Sequence, residues 1–505
     1  MCVLHRIKHS AERRPSMHRQ KKYRASTPGV AWLLSELQIE SLYGREALKN
    51  LRPAKSDQLE QLRQSLAELE IMVTAARNDK SFFDQAGSIF KCLRYINGSL
   101  DNLEAGQVPD ETELLEIKGF AMLLTSLKNW YERSGLQLPS VSFSDIEPVI
   151  KILNPDRTVV TSFHVHEAYS QKLKEIRAEK IQLENCILQC TDQQKRDELR
   201  DQRARLVQSE KAEEHLVREN LGKQLLEWVT RMRHNGLAAG RFELLLAKTR
   251  LACQFNCTCP EVFAGNIKKP LQAEEMINPE VEAILAGNGK HFTPVSIELN
   301  SGTTLLTGAN MGGKSVALLT LAMNAELVTL GFFVFARRFS MPLFDFIYLI
   351  AGDGQNQASG LSSFGAEIIR LSELTALTRH GIGLAVCDEF ARSTNPSEGS
   401  RFVQALGEFL QQSGSYGVIA THFDGIRIAN ASYYQVIGLK NKAVTSTGGD
   451  RISLLNNLCD NMDYRLIRLS DDYQVPKDAL HIASILDVDP EFMAILRRYY
   501  PSTGE

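Results

Sequence analysis

Apolar and polar residues follow two different periodicities along this chain. From about residue 30 to 145, apolar side chains recur every three or four positions, as in "LEQLRQSLAELEIMVTAAR", which predicts amphipathic helices. The segment "IKILNPDRTVVTSF", residues 150–163, then predicts a short β excursion around an Asn-Pro turn.

The stretch from residue 156 to 221 contains neither Gly nor Pro and is rich in charged residues, Gln and Leu. A coiled-coil seam is predicted at Tyr169, Leu173, Ile176, Lys180, Leu183, Ile187 and Cys190. Thr191 and Gln194 resemble a capping box, which predicts that a second helix starts there. We therefore expect two long antiparallel helices, an arm over about residues 164–232, with its tip roughly 35–40 Å out.

After about residue 259, short β-rich apolar runs are separated by helical segments, a pattern typical of an α/β domain. The predicted organisation is a basic tail (1–28), an all-α core (29–265), an α/β domain (266–470) and a helical C-terminal segment (471–505).

Composition narrows the class of protein. The 505 residues allow several domains, and a formal net charge of −2 gives no bulk attraction for a polyanion. Nine cysteines and no secretory or membrane-spanning run predict reduced thiols in a cytoplasmic protein without a membrane. The spacings Cys186/Cys190 and Cys253/Cys257/Cys259 permit a zinc site, but packing thiols are favoured because no histidine accompanies them.

The N-terminal tail is basic, with Glu12 as the one acid in the first 24 residues. It could grip phosphate backbones, act as an organelle transit peptide, or be a disordered solvated extension. The sequence leaves these alternatives open.

The segment "TTLLTGANMGGKS" places a G-x-x-x-x-G-K-S loop between an apolar strand, residues 304–307, and a helix rich in Ala and Leu. Its glycines would let backbone N–H groups approach phosphate oxygens, Lys314 would reach the β- and γ-phosphates, and Ser315 would ligate Mg²⁺. The predicted nucleotide-binding residues are Gly308, Ala309, Asn310, Met311, Gly312, Gly313, Lys314 and Ser315.

Two further strands are predicted to end in polar residues. In "GLAVCDEF" a buried strand ends in Asp388, a candidate Mg²⁺ ligand, and Glu389, a candidate general base. In "VIATHFD" the strand ends beside His422, which could contact the γ-phosphate or the attacking water. Between these and the loop, "ASGLSSFGAE" predicts a Ser-rich helix start, a possible second anion site.

The segments "TGANMGGKS", "ASGLSSFGAE", "CDEFARSTNPSEG" and "ATHFD", in this order and spacing, resemble the ATPase domain of the MutS family, a branch of the ABC-type ATPases. The resemblance implies an α/β P-loop NTPase domain preceded by an all-α core and lever domain with a long antiparallel arm. It also implies a homodimer with two composite sites for ATP and Mg²⁺, with the C-terminal segment helping dimerisation.

Further residue roles are implied by this resemblance. Asn310 would contact the terminal phosphate, Ser362 would enter the partner's site, and Phe292 would stack on adenine. The loop 391–399 would couple the acidic strand to the dimer interface, although the family usually has Gly where this chain has Ala391, and Asn395-Pro396 replaces the usual Ser-Thr run.

Other departures shape the functional expectation. The chain has no Phe before Phe82, which predicts that it lacks a mismatch-reading wedge. It ends at Glu505, which predicts that it lacks a nuclease domain. Residues 167–221 carry 11 Lys+Arg and 12 Asp+Glu, so the arm is not a basic surface, although Lys195-Arg196 and Arg200/Arg203/Arg205 keep DNA contact open.

The expected function is therefore a MutS-like ATPase that moves helical arms and takes part in DNA binding and repair. The alternative is an ATP-dependent protein-remodelling factor. Short MutS-like proteins that resemble this chain accompany adenosylcobalamin-dependent aminomutases, which implies reactivation of such an enzyme as the alternative function.

Overall fold

The computed structural model describes residues 27–79, 82–155, 165–265, 269–308, 312–351, 363–439, 460–469, 479–486 and 488–500. Helices dominate the first half of the chain, with short 3₁₀ turns at Ser56–Gln58 and Glu167–Tyr169. The helices there are α1 (Pro28–Glu36), α2 (Leu42–Lys49), α3 (Leu59–Asn78), α4 (Phe82–Cys92), α5 (Asn97–Glu104), α6 (Glu111–Ser134), α7 (Glu147–Leu153), α8 (Gln171–Gln189), α9 (Gln193–Leu226) and α10 (Val229–Gln254).

The second half mixes strands and helices. The strands are β1 (Glu261–Phe263), β2 (Leu271–Met276), β3 (Val295–Leu299), β4 (Gly302–Thr307), β5 (Arg338–Pro342), β6 (Phe346–Ile350), β7 (Gly383–Asp388), β8 (Tyr416–Ala420), β9 (Ser432–Leu439) and β10 (Met462–Arg468). The helices are α11 (Pro279–Ala286), α12 (Lys314–Thr329), α13 (Ser363–Leu377), α14 (Pro396–Ser413), α15 (Ala479–Ile485) and α16 (Pro490–Arg497).

Within the described residues the strands form two sheets. One has four strands in the order β1-β5-β2-β3, and the other has six in the order β10-β9-β4-β8-β7-β6. In the larger sheet β9, β4, β8, β7 and β6 pair in parallel, and β10 is antiparallel to β9. Consequently the carboxyl ends of β4, β8 and β7 lie at one edge.

Helix α12 lies at the centre of this half. It contacts β7, β8 and β6 of the larger sheet, β2 of the smaller sheet, and α1. Most of its residues from Ala317 onward are buried, which explains why the helix is apolar on all sides. Helix α14 covers the opposite face, where Leu305 of β4 packs in a cluster with Val403 and Leu410.

The helical half is tied to α12 by buried polar contacts. The Lys248 ammonium, on α10, donates to the carbonyl oxygens of Leu330 and Gly331 at 2.7 and 3.1 Å, just beyond the end of α12. The carboxylate of Glu326, on α12, accepts from the backbone and hydroxyl of Thr27 at 3.0 and 2.8 Å. Thus α1 and α10 pack directly against the α/β half.

The predicted tail of residues 1–28 extends too far. Thr27 is the N-cap of α1, and Pro28 is its first residue, a position where proline is favoured. Residues 1–26 lie outside the described residues, so the alternatives for the basic tail are not tested.

The predicted β excursion at residues 150–163 is wrong in its first part. Residues 150–153 belong to α7, which starts with Glu147-Pro148 and buries Val149 and Leu153 on one face. This four-residue spacing outweighs the β-branched composition of the segment. Residues 156–164 lie outside the described ranges.

Helices α8 and α9 form a hairpin, called the α8–α9 hairpin below. Ion pairs join Lys172 to Glu213 at 3.0 Å and Arg203 to Glu184 at 2.7 Å, so the two helices run antiparallel. The N-cap of α9 is Asp192 and not the predicted Thr191, because the Asp192 carboxylate accepts from the first free backbone amides.

Burial along the hairpin is uneven. Leu173 is buried near the base, whereas Leu188 near the tip is 82% exposed. The predicted seam therefore packs closely at the base, and its members Leu183, Ile187 and Cys190 are only half-buried.

Candidate nucleotide-binding site

The glycine-rich loop joins β4 to α12. Gly308 has φ 136° and Gly313 has φ 81°, two backbone conformations that L side chains rarely adopt. Gly313 is the N-cap of α12, so the helix dipole points toward the loop. The predicted residues Ala309, Asn310 and Met311 lie outside the described residues.

Lys314 opens α12 and is buried. Its ammonium donates to the carbonyl oxygen of Gly308 at 2.8 Å, which folds the side chain back over the loop. Burial lowers the pKa of Lys314, and the nearby carboxylates of Glu389 and Asp388 oppose this shift. Lys314 therefore lies within the electrostatic field of the acidic pair.

Sheet order brings the predicted site residues together. Strand β8 lies between β4 and β7, and Ala420 at its end is in register with both Leu306 and Asp388. The amide of Thr421 donates to the carbonyl oxygen of Leu306 at 3.0 Å, which extends this pairing past the strand. The side chains that follow the three strands thus share one edge.

Asp388 is the last residue of β7. Burial raises the pKa of its carboxyl, and a hydrogen bond with Ser315 opposes the shift. Its other oxygen, Oδ1, is buried, and among the described residues nothing donates a hydrogen bond to it. A buried carboxylate oxygen beside a hydroxyl matches the hard oxygen donors that Mg²⁺ prefers, so these two residues fit that cation.

Glu389 follows with φ 50°. Its amide donates to the carbonyl oxygen of Ala420 at 3.1 Å. Its carboxylate accepts from the Arg392 guanidinium at 2.5 Å, and the Arg392 side chain is 68% exposed. Glu389 is therefore held at the strand edge by its backbone and by an exposed cation from its own loop.

His422 lies just after β8. Burial lowers its pKa, with Glu389 opposing and Arg392 and Lys314 reinforcing the shift, so the neutral imidazole is favoured at pH 7. Its ring centroid lies 4.4 Å from that of Phe423. A neutral imidazole at this edge can either donate or accept a hydrogen bond.

The loop after Glu389 is bound by a residue of another element whose role sequence reasoning missed. Ala391 has φ 62°, the region that favours glycine, which accounts physically for the glycine that the resemblance leads one to expect there. Its amide donates to Glu367 of α13 at 2.7 Å. Glu367 ends the segment "ASGLSSFGAE" quoted above, but nothing in the sequence pattern indicated that it contacts Ala391, 24 positions downstream.

The second departure in this loop has a local explanation. Asn395 is the N-cap of α14, its side chain accepts from the amide of Ser397 at 3.0 Å, and Pro396 occupies the first helical position. The pair Asn395-Pro396 is therefore a helix start signal.

Tyr464 is a second residue that the sequence did not single out. A Cβ atom built on Gly313 would lie 2.9 Å from the Tyr464 ring, so this side chain of β10 packs against the glycine loop. Strand β10 pairs with β9, which pairs with β4, and this sheet order is what brings Tyr464 to the loop.

The remaining predicted site residues are Phe292, Ser362 and the closely spaced cysteines. Phe292 precedes β3 and packs, half-buried, against the central apolar core. Ser362 lies outside the described residues, and α13 begins at the next residue, Ser363. In the ranges that the structure covers, no group of three or more His, Cys, Asp or Glu residues could hold a metal ion, and the cysteines there are free.

Residues 304–481 match the family model described as MutS domain V. By this match, the second half of the chain is similar to MutS domain V. The match begins within β4 and ends within α15, so it contains the glycine loop, the acidic pair and His422.

The chain is also similar in sequence to individual named proteins. The chain is 27% identical over 325 residues to "DNA mismatch repair protein MutS" of Natronomonas pharaonis, covering 62% of this chain and 34% of that relative. It is 32% identical over 190 residues to "Endonuclease MutS2" of Solidesulfovibrio magneticus, covering 37% of this chain and 23% of the relative. For "Endonuclease MutS2" of Listeria innocua the identity is 24% over 234 residues, covering 46% and 28%. The chain thus spans about a third or less of these relatives' lengths.

None of the helices in the described ranges is long and apolar enough to cross a membrane.

Proposed function

We propose that this chain is a MutS-family protein that binds and hydrolyses ATP at the edge formed by β4, β8 and β7. The observation that carries the proposal is the convergence there of Lys314, Asp388, Glu389 and His422 from three neighbouring strand ends. MutS-family members are ATPases, which agrees with this chemistry.

The binding roles follow from residue type. Backbone amides of the loop 308–315 would cradle the phosphates, with Asn310 near the terminal one and Phe292 on adenine. Lys314 would exchange its bond to the Gly308 carbonyl for phosphate oxygens. Ser315 and Asp388 would hold Mg²⁺, which supplies charge neutralisation on the phosphates. The raised pKa of Asp388 is consistent with a carboxylate that gains its partner only with the cation.

The hydrolytic roles fall to two residues. Glu389 would orient or deprotonate the attacking water, after its carboxylate leaves the Arg392 guanidinium. His422, neutral because of burial, would hydrogen-bond that water or the γ-phosphate.

A homodimer would complete each site, with Ser362 of one subunit facing the nucleotide of the other. The C-terminal helix α16 supports this proposal. Its residues Phe492 and Ile495 are 55% and 49% exposed, and Tyr499 beyond it is 81% exposed, an apolar stripe at helical spacing. Met493 packs inward instead, so the stripe is the helix's outer face.

The proposed output is movement of the α8–α9 hairpin, in a cycle that serves DNA binding and repair. Helix α10 follows α9 after two residues and bonds through Lys248 to the end of α12. This continuous path gives the nucleotide site a mechanical route to the hairpin.

A protein client, such as an aminomutase, is the second candidate. Arg177 and Lys180 of the hairpin are engaged by its own acids: Arg177 pairs with Glu210 and Glu214 at 2.9 and 2.8 Å, and Lys180 pairs with Glu210. Leu188 near the tip and Ile181 in the middle of α8 are 82% and 56% exposed, and apolar side chains suit a protein surface better than a phosphate backbone.

The decisive assay measures ATP hydrolysis by the wild type and Glu389→Gln. The wild type should turn over ATP, and the variant should lose about 10²- to 10⁴-fold in kcat while accumulating ATP-bound dimers in light scattering. Hydrolysis by Glu389→Gln at the normal rate would refute the assignment of the base.

The partner is tested by adding duplex, branched or single-stranded DNA at two salt concentrations. Stimulation that weakens with salt supports DNA as the partner, because phosphate contacts release counterions. An unchanged rate with every DNA supports the protein client.

A further inference from the structure

The loop after β7, residues 389–393, is hydrogen-bonded by a carboxylate that belongs to another element, helix α13. Within three residues, Glu389 and Ala391 both adopt φ near +50° to +60°, a region that non-glycine residues rarely adopt. Such a conformation persists where surrounding contacts enforce it.

Glu367 of α13 supplies such contacts with both of its oxygens. Oε2 accepts from the backbone amide of Ala391 at 2.7 Å, and Oε1 accepts from the hydroxyl of Ser393 at 2.7 Å. Ala391 is fully buried and packs with Phe390 in the core between the sheet and α14. A buried amide needs an acceptor, and Glu367 provides it.

The consequence reaches Glu389, two residues before Ala391. Its own amide is fixed to Ala420 on one side, and its carboxylate is bound by Arg392 on the other. Arg392 lies between the two positions that Glu367 holds. If Glu367 is removed, Ala391 can relax to an ordinary backbone conformation, and the peptide that carries Glu389 rotates with it.

We propose that Glu367 is a positioning residue for ATP hydrolysis, which fixes the loop 389–393 so that Glu389 points at the attacking water. This inference rests on the proposed ATPase function. Glu367 bonds the loop and not the reacting atoms, so its removal should lower kcat and leave nucleotide affinity unchanged.

The test compares Glu367→Ala and Glu367→Gln in the full chain. Misplacement of a catalytic group by about 1 Å can cost about 10²-fold, so Glu367→Ala should lose about 10- to 100-fold in kcat with KM within twofold. Glu367→Gln keeps one acceptor oxygen and should lose less than Glu367→Ala.

Glu373→Ala is the matched control. Glu373 lies on the same helix and accepts a hydrogen bond from the Tyr348 hydroxyl of β6, so this variant also removes a tie between α13 and a neighbour. Its kcat should stay within about twofold of the wild type, because Glu373 does not contact the loop.

A second-site substitution separates positioning from general stability. Ala391→Gly in the Glu367→Ala background should recover kcat several-fold, because glycine adopts φ 62° without strain. Should Glu367→Ala fail to fold, Glu367→Gln alone and combined with Ala391→Gly gives the same comparison.

Two outcomes are distinguishable. A wild type without ATPase activity overturns the proposed function itself. An active wild type whose Glu389→Gln variant is inactive, but whose Glu367 variants keep wild-type kcat, overturns only the positioning role.

Discussion

The α8–α9 hairpin and the strand edge that carries the nucleotide site each contain a carboxylate shielded from water, and the two differ in their partners. The Glu210 side chain, 11% exposed in the hairpin, accepts from Arg177 at 2.9 Å and also from Lys180. Asp388 keeps a buried oxygen for which the described residues offer no donor.

Their pKa values move in opposite directions as a result. For Glu210, burial raises the pKa, but hydrogen bonds from Lys180 and Arg177 outweigh burial and the net shift is downward. For Asp388, burial dominates over the hydrogen bond with Ser315, and the pKa rises. A carboxylate whose partners are in the chain stabilises the fold, whereas one that lacks them indicates a site for a ligand.

The largest expected effect is at Asp388. Asp388→Asn should lower Mg²⁺-dependent ATP hydrolysis by about 10²- to 10³-fold, because a metal acting on phosphate contributes several kcal/mol to transition-state stabilisation. In the absence of nucleotide the same variant should be more stable by about 1–3 kcal/mol, because a buried charge without a full set of partners is removed.

Thermal unfolding of the wild type and of Asp388→Asn, with and without Mg²⁺-ATP, measures the stability of the free protein and its stabilisation by the ligand. The ligand should stabilise the wild type more than Asp388→Asn, which keeps the loop and Lys314 but lacks the carboxylate that would hold Mg²⁺. Equal ligand stabilisation of the two would contradict the metal role of Asp388.

The next effect contrasts a buried leucine in the strand before the glycine loop with an exposed leucine of the α8–α9 hairpin. Leu305 of β4 is fully buried, so Leu305→Ala should cost about 2–5 kcal/mol of unfolding free energy. Leu188→Ala near the hairpin tip should change stability by less than about 0.5 kcal/mol, because Leu188 is 82% exposed. Chemical denaturation of the two variants measures the difference, and similar losses would contradict the burial pattern.

A smaller effect is expected within the hairpin. Glu210→Gln should destabilise the protein by about 1–3 kcal/mol at pH 7, because partly buried Lys180 loses its counter-charge and Arg177 keeps only its pair with Glu214. Because the folded pKa of Glu210 is depressed, its contribution is fully present above the ordinary value of 4.5 and is lost as pH falls through the lowered folded value.

The difference between wild type and Glu210→Gln should therefore shrink on acidification below pH 4.5, as followed by denaturant titrations at several pH values. Arg200→Ala is the control, since its pair with Asp197 is more than half exposed on both sides and should contribute less than about 0.5 kcal/mol. A pH-independent gap between wild type and Glu210→Gln would contradict the assigned ion pairs.

Local pattern predicted the elements well where periodicity and flanking signals agreed. The strand before Gly308, the helix from Lys314 and the buried strand before Asp388 all follow from apolar runs next to glycine or polar residues. The prediction was wrong at residues 150–153, where β-branched residues sit in α7, because a Glu-Pro helix start and burial of Val149 and Leu153 decide the conformation.

Contacts between distant residues were not predictable in this way. Glu367 and Ala391 lie on different elements, and their hydrogen bond depends on how α13 packs beside the loop after β7. Tyr464 reaches the glycine loop only because β10 joins the sheet beside β9 and β4.

The sequence by itself determined the glycine loop, the acidic pair and the helical periodicity, because each depends on neighbours within a few residues. The tertiary structure decided which carboxylates find partners: Glu210 meets cations from the opposite helix, and Asp388 keeps an oxygen free of described donors. The physical reason is that a charged side chain's energy depends on burial and on groups brought near by folding, and neither quantity is encoded in local spacing.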